Sequence, residues 1–231
     1  MATKNNVIIV PPTPVYNTDS VPVFENFTPE DSALLYSTLY SNYIDVLSRF
    51  NGSIDTTFIF DSRDMEFLPE SISQSARCKF YENGEKWNLL SSVSSKIINQ
   101  EGTNLLVFFS HSIGISPARI NSLFNLLNND DNNIVAGISS QDKLAFYGIN
   151  HFDPLLFEEI NPFTSGRDDF LRLAGKMNNY LFALDGFFTV ETLDDFRELY
   201  KLLSTKESIE YCSHEIHEQF TNLFIEYKEL L

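Results

Sequence analysis

The stretch that most constrains the fold is Leu105-Leu106-Val107-Phe108-Phe109, followed at once by Ser110-His111-Ser112. A continuous apolar run this short, preceded by Gly102 and rich in β-branched and aromatic residues, reads as a strand buried on both faces. Burial on both faces requires a sheet covered by helices on either side. Gly114 and then Ser116-Pro117 lead into a helix start directly after it. In an open α/β sheet, ligands sit beyond the carboxyl ends of the strands. Ser110, His111 and Ser112 are therefore candidate ligand-binding residues.

The flanking chain supplies the rest of such a sheet. Residues 7–10 form a first strand, which Pro11-Pro12 stops. Thr28-Pro29-Glu30-Asp31 is a helix start: a hydroxyl cap, proline at the first helical position, and two acids at the positive end of the dipole. Ala33, Tyr36, Tyr40, Tyr43, Leu47 and Phe50 then recur at helical steps, with Asn51-Gly52 as the stop. Residues 56–60 and 77–81 read as strands, and a short helix is expected near 65–68. Residues 87–98 and 117–127 read as helices. Residues 134–138 and 144–149 form a pair joined by five polar residues, which predicts an antiparallel hairpin. Short helices follow at 155–157 and 167–177, then a last strand at 180–184 and a helix capped by Thr192.

From Glu207 to Leu231 the apolar residues Ile209, Cys212, Ile216, Phe220, Leu223, Tyr227 and Leu230 fall at three- and four-residue steps, predicting one long amphipathic helix. The expected organisation is an α/β domain over 1–204, with a mixed, mostly parallel sheet and helices on both faces. The helix over 205–231 would pack on that domain or on a partner, a second copy included.

Charge narrows the function. With 32 acidic against 16 basic residues the net charge is −16. Such a surface repels a phosphate backbone, and no Lys/Arg cluster overrides it, so nucleic acid and anionic membranes are poor partners. No apolar run approaches the roughly 18–20 residues of a membrane span, and the four apolar residues 7–10 are too few for a signal-peptide core. A cytoplasmic protein is expected. Cys78 and Cys212, the only cysteines, have no metal spacing and read as reduced structural thiols.

Several of these segments resemble a bacterial family of small glycosyltransferase-like proteins with the GT-A fold. That family lies in the nucleotide-diphospho-sugar transferase superfamily and includes relatives linked to arsenosugar biosynthesis. Thr28-Pro29-Glu30-Asp31-Ser32-Ala33 is similar to its Ser-Pro-Glu-Glu-Ala helix start. The exit of the central strand matches its Gly-Ser-Asp-Ser-Pro-Asp-Leu-Pro-Pro turn in place and length. Residues 137–148 match its second conserved block, and Thr189-Val190-Glu191-Thr192-Leu193-Asp194-Asp195-Phe196 its Asp-Val-Asp-Thr-Pro-Glu-Asp-Leu. The resemblance runs to about Leu203 and implies a GT-A fold acting on a nucleotide sugar with a divalent cation.

The family's charged positions are largely replaced in this chain. Its basic Lys-Thr-Arg-Leu run is here Asp19-Ser20-Val21-Pro22-Val23-Phe24, its metal-side Asp aligns with His111, and its second Asp with Gly114. Its Glu-Asp-Gly-Gly-Tyr block reads Ser140-Gln141-Asp142-Lys143-Leu144, and its closing Asp-x-Asp reads Thr189-Val190-Glu191. A hard cation bridging phosphates wants several carboxylate oxygens. His111 and Glu191 are the two candidate ligands left, with Arg63 and Lys143 as candidate phosphate partners.

The leading expectation is a glycosyltransferase-like protein with impaired or absent transfer, needing no cofactor and acting as a binding or structural partner. The alternative is an active nucleotide-sugar-dependent glycosyl- or nucleotidyl-transferase using Mg or Mn at His111 and Glu191. His111 also has a plainer reading, as a polar cap of the turn after the strand. His214 and His217, one helical turn apart, lack the His-Glu-x-x-His spacing and read as a solvated helix face. Asp168-Asp169 reads as an acidic first helical turn.

Overall fold

The computed structural model describes residues 3–50, 53–82, 84–100, 102–130, 132–139, 141–160, 165–177 and 179–231. Asn51-Gly52, read as a helix stop, and Ser140 of the hairpin loop lie outside them.

Strand β1 (Lys4–Val10) is followed by helix α1 (Pro29–Ser48), β2 (Asp55–Asp61), α2 (Glu70–Ser73) and β3 (Cys78–Tyr81). Helix α3 (Lys86–Ile98), β4 (Thr103–Phe109), β5 (Ser112–Ile113) and α4 (Pro117–Leu127) come next. The hairpin is β6 (Asn133–Ser139) and β7 (Leu144–Ile149), followed by α5 (Pro154–Glu159), α6 (Arg167–Ala174) and β8 (Tyr180–Thr189). The chain ends in α7 (Leu193–Leu203), α8 (Ser208–Tyr211) and α9 (His214–Glu226). The strand order is β3-β2-β1-β4-β7-β6-β8-β5. Parallel ladders join β1 to β2 and β4, β2 to β3, and β6 to β8. Only β7 and the two-residue β5 run against their neighbours. This is the mixed, mostly parallel sheet expected, with the hairpin antiparallel as its polar loop predicts.

Alternation along the central strands divides the core. Val7, Ile9, Leu106 and Phe108 pack with Tyr40 and Tyr43 of α1 and with Ile120 and Phe124 of α4. Ile8, Val10, Leu105, Val107 and Phe109 pack on the other face with Leu90 of α3, Phe157 of α5 and Phe170 of α6. Both faces are covered, so residues 7–10 of β1 and 105–109 of β4 read as unbroken apolar runs. The helix starts are set by caps that the sequence announces. The Thr28, Ser116 and Thr192 hydroxyls accept from Asp31, Arg119 and Asp195 amides at 3.1, 3.2 and 3.3 Å.

The last segment departs from the single long helix expected. Cys212 is extended (φ −144°, ψ 154°) between α8 and α9, and Ser213 accepts from the Ile216 amide at 3.4 Å to start α9 afresh. A serine here competes for the backbone and favours a cap over a helix interior. The apolar stripe that suggested continuity starts too early, because Ile209 is 78% exposed. From Cys212 onward the stripe is real. Cys212, Ile216, Phe220 and Leu223 pack with Leu35 and Leu39 of α1 and with Phe196 and Leu199 of α7. The Tyr227 ring stacks on Phe27 at 3.8 Å, and its hydroxyl donates to Asp31 at 2.6 Å.

Strand β8 also differs from its expected end at Leu184, since it continues to Thr189. Asp185-Gly186 looks like a terminator but is a bulge. Gly186 has φ +88°, and the register against β6 shifts between Gly137 and Ser139. The short helix expected at 65–68 is a 3-10 turn at Ser62–Asp64, with α2 beyond it. No helix among the described residues is long and apolar enough to cross a membrane.

Candidate functional site

The carboxyl ends of β1, β2, β3, β4, β6 and β8 bring two groups of chemistry-bearing residues to one edge of the sheet. The first is built around Glu191. The β4 exit continues through His111 into β5, which pairs with the end of β8, and the Val190 amide donates to the His111 carbonyl at 2.8 Å. That zipper places the His111 side chain against Glu191, with Nε2 to Oε1 at 3.4 Å. The start of α7 holds Glu191 from behind, because Asp195 accepts from the Glu191 and Thr192 amides at 2.9 and 2.8 Å. Lys143, on the hairpin loop, donates its ammonium to Glu191 Oε2 at 2.9 Å.

The electrostatics of this trio follow from the contacts. The hydrogen bond from His111 is the main reason that the Glu191 carboxyl falls from 4.5 to about 2, with Lys143 adding to it against the opposing effect of burial. His111 is 5% exposed, and its Nδ1 is buried with no hydrogen-bond partner. The Thr189 hydroxyl donates to Gln141 Oε1 at 2.5 Å and ties the hairpin loop to β8.

The trio is a poor fit for a divalent cation. Glu191 has one oxygen on an imidazole and the other on an ammonium, so its negative charge is already matched. Among the described residues no group of three His, Cys, Asp or Glu side chains could hold a metal ion. One imidazole and one neutralised carboxylate do not supply the oxygen-rich shell that Mg or Mn requires at a diphosphate.

Ser110 and Ser112, expected to meet a ligand, are turned inward. Both are 1% exposed. The Ser112 hydroxyl is shared with that of Tyr43 and donates to the Phe109 carbonyl at 2.9 Å, while the Ser110 amide donates to the Val10 carbonyl at 3.2 Å. Two small hydroxyl residues fit here because β4 passes directly beneath α1. They fasten the strand exit that presents His111.

The second group lines a cleft of about 590 Å³ over the ends of β1, β2 and β3. Arg63 lies here, apart from Lys143, and grips Asp61 through Nε at 2.8 Å and a terminal nitrogen at 2.7 Å. Burial alone would raise the Asp61 carboxyl, but the hydrogen bonds and charge of Arg63 outweigh it and hold the group below its ordinary value. Pro12, Pro14, Tyr81 and Trp87 form the apolar walls. The Trp87 indole N–H donates to the Phe157 carbonyl. Lys86 donates to the Pro12 carbonyl and sits 4.9 Å from the centre of the Tyr81 ring. Its burial lowers the ammonium from 10.5 to about 8.

The loop over this cleft is shaped by Asp64. Its carboxylate is fully buried and accepts from the amides of Val15, Tyr16 and Asn17 at 3.0, 2.9 and 2.9 Å. Burial raises its carboxyl above the ordinary value, and the three amides offset that only in part. Sequence reasoning missed Asp64, Lys86 and Trp87 as site residues. The signal for Lys86 was available, because a lysine in the first turn of a helix opposes the dipole and calls for another reason to be there. Elsewhere, His217 is bound at 2.9 Å to the Leu203 carbonyl. That contact ties α9 to the end of α7, and Asp169 accepts from the Gly166 amide at 3.2 Å and pairs with Arg172 at 2.8 Å, serving the start of its own helix.

No family model matches the sequence, and no curated protein matches it. The similarity is to solved structures. A protein of Desulfovibrio desulfuricans assigned as a nucleotide-diphospho-sugar transferase superposes with a TM-score of 0.71, at 15% identity over 98% of this chain and 99% of that one. The 4-diphosphocytidyl-2C-methyl-D-erythritol synthase of Anaerococcus prevotii superposes with a TM-score of 0.53, at 11% identity over 88% and 99%. At these identities the likeness shows the fold, and the fold is that of the nucleotide-diphospho-sugar transferases.

Proposed function

We propose that the protein binds a nucleotide or nucleotide sugar at the carboxyl edge of its sheet and lacks metal-dependent sugar transfer, acting as a binding or structural partner. The base and ribose lie in the cleft walled by Pro12, Pro14, Tyr81 and Trp87, a volume in the range of small-molecule sites. The phosphates extend towards the β4 exit, where they would compete with Glu191 for the Lys143 ammonium. The observation that carries this reading is the Lys143–Glu191–His111 trio. An ammonium occupies the carboxylate that a divalent cation would need, so charge at the phosphates comes from a side chain. The fold of the two solved structures supports the choice of ligand class.

The test is thermal unfolding with UDP-, GDP-, CMP- and dTDP-linked sugars, each in EDTA and in Mn²⁺ or Mg²⁺. A ligand at a hundred times its Kd adds about 2.7 kcal/mol, or about 5–10 °C for a chain of this size. The expected result is a shift with at least one nucleotide that is as large in EDTA as in metal, is reduced by Lys143→Met, and comes without turnover of the sugar nucleotide. Trp87, the single tryptophan, gives an independent fluorescence readout from the cleft wall. A shift that requires metal and disappears in His111→Ala, together with turnover, would establish the active-transferase alternative instead. No shift with any nucleotide would remove the ligand assignment.

A further inference from the structure

We propose that the outer edge of β8 pairs antiparallel with the same strand of a second copy, joining two sheets across a two-fold axis at Phe182. This does not depend on the nucleotide reading. Strand β8 hydrogen-bonds β6 along one side, and on the other side β5 covers only Phe188 and Thr189. Among the described residues, the outer side from Tyr180 to Asp185 has no strand partner. The Tyr180 amide points inward, to the Asn132 carbonyl at 3.0 Å. Alternation along the strand then turns the N–H and C=O of Leu181 and Ala183 outward.

Natural sheets blunt such edges with lysine, proline or a bulge. Tyr180-Leu181-Phe182-Ala183-Leu184 has none of these and no charge, and Tyr180 and Phe182 are 63% and 36% exposed. The device that does appear comes later. The bulge at Gly186 and the Arg119 guanidinium, which donates to the Gly186 carbonyl at 2.8 Å, close the edge just beyond Asp185. What remains open is a short, apolar, unpaired segment.

That segment is complementary to itself. A two-fold axis at Phe182 sets Leu181 opposite the partner's Ala183, so their outward amides and carbonyls exchange hydrogen bonds, and the symmetry repeats the pair. Phe182 then faces the partner's Phe182, and Tyr180 the partner's Leu184, the aromatic pairings that stabilise antiparallel ladders. Asp185 falls opposite the partner's Asn179, and its carboxylate is held by Arg167 at 2.6 Å, so no like charges meet at the seam. The general opposition is the charge of −16 on each copy, which salt screens. Added salt should therefore strengthen the dimer.

The experiment is sedimentation equilibrium of the full chain from low to high micromolar concentration, at low and high salt, with amide hydrogen exchange on the same samples. The expected result is a concentration-dependent dimer, favoured by salt, in which exchange at Leu181 and Ala183 slows as dimer forms. Phe182→Lys, which sets two cations face to face, and Ala183→Pro, which removes an outward N–H without touching the β6 ladder, should each weaken it roughly tenfold or more. Circular dichroism checks that both variants fold, and the wild-type exchange pattern decides the matter if either does not. A monomer under all conditions overturns the proposal. So does a dimer with unprotected amides at Leu181 and Ala183, or one that folded Phe182→Lys forms as readily as wild type.

Discussion

Asp64→Ala tests whether the loop over the cleft is held by one carboxylate. The substitution strands the amides of Val15, Tyr16 and Asn17, now bonded at 3.0, 2.9 and 2.9 Å. An unmet buried donor costs about 1–3 kcal/mol. Val15 bears most of that, while Tyr16 and Asn17 are partly buried and recover some through water. The sum is about 3–5 kcal/mol, which for a chain of this length lowers the thermal midpoint by about 10 °C. Asp64→Asn should fall between, because its oxygen still accepts while its amide nitrogen opposes one of the three donors. Urea unfolding followed by Trp87 fluorescence gives the stability. Nucleotide titration should weaken in parallel, since Pro12 and Pro14 line the cleft from the start of this loop. A loss below about 1 kcal/mol in Asp64→Ala would falsify the argument, because the three amides would then have found other partners as good.

Three further expectations use the titrating groups. Glu191, lowered from 4.5 to about 2, contributes stability that is fully present above pH 4.5 and is lost as pH falls towards 2. The nominal figure of about 3 kcal/mol shrinks to about 1–2 because the side chain is more than a third exposed, and Glu191→Gln should flatten the acid limb of an unfolding-versus-pH curve. Lys86, lowered to about 8, should be the first lysine acylated at pH 8 as read by peptide mass spectrometry, and nucleotide should slow its labelling. A Lys86 that reacts no faster than the surface lysines would contradict the lowered ammonium. Cys78 and Cys212 are both buried with thiols pushed up to about 11, so neither should react with a disulfide reagent until the protein is unfolded.

Much of the scaffold is legible because its signals are local. The apolar run of β4 requires cover on both faces, and the caps at Thr28, Ser116 and Thr192 mark helix starts within a residue. Two of the departures arise where local and tertiary demands compete. Asp185-Gly186 has the composition of a turn, yet pairing with β6 and β5 carries β8 across it as a bulge. At Cys212-Ser213 the apolar spacing continues while the serine caps a new helix. His111 and Glu191 meet because both sit on strand exits, as the fold implies, and Lys143 joins them from the hairpin loop. Apart from Arg63, the cleft was not legible. Asp61 with Arg63, and Lys86 with Trp87, come from two segments that form no motif, and they converge through the order of β1, β2 and β3. Ser110 and Ser112 show the reverse: polar residues in the right place on the sheet, turned inward by the close passage of α1.

Tyr227 has a consequence for how the chain is made. Its hydroxyl receives the Thr28 amide at 3.1 Å and donates to Asp31, joining groups 199 and 196 residues apart at the start of α1. During synthesis from the amino end, α1 leaves the ribosome well before Tyr227, and its opening turn is not closed until Tyr227 follows. Long-range closure of this kind slows folding and leaves early segments exposed meanwhile. The stack of Tyr227 on Phe27 thus works as a late latch, and a nascent chain halted before it would carry a complete central sheet with an unfastened first helix.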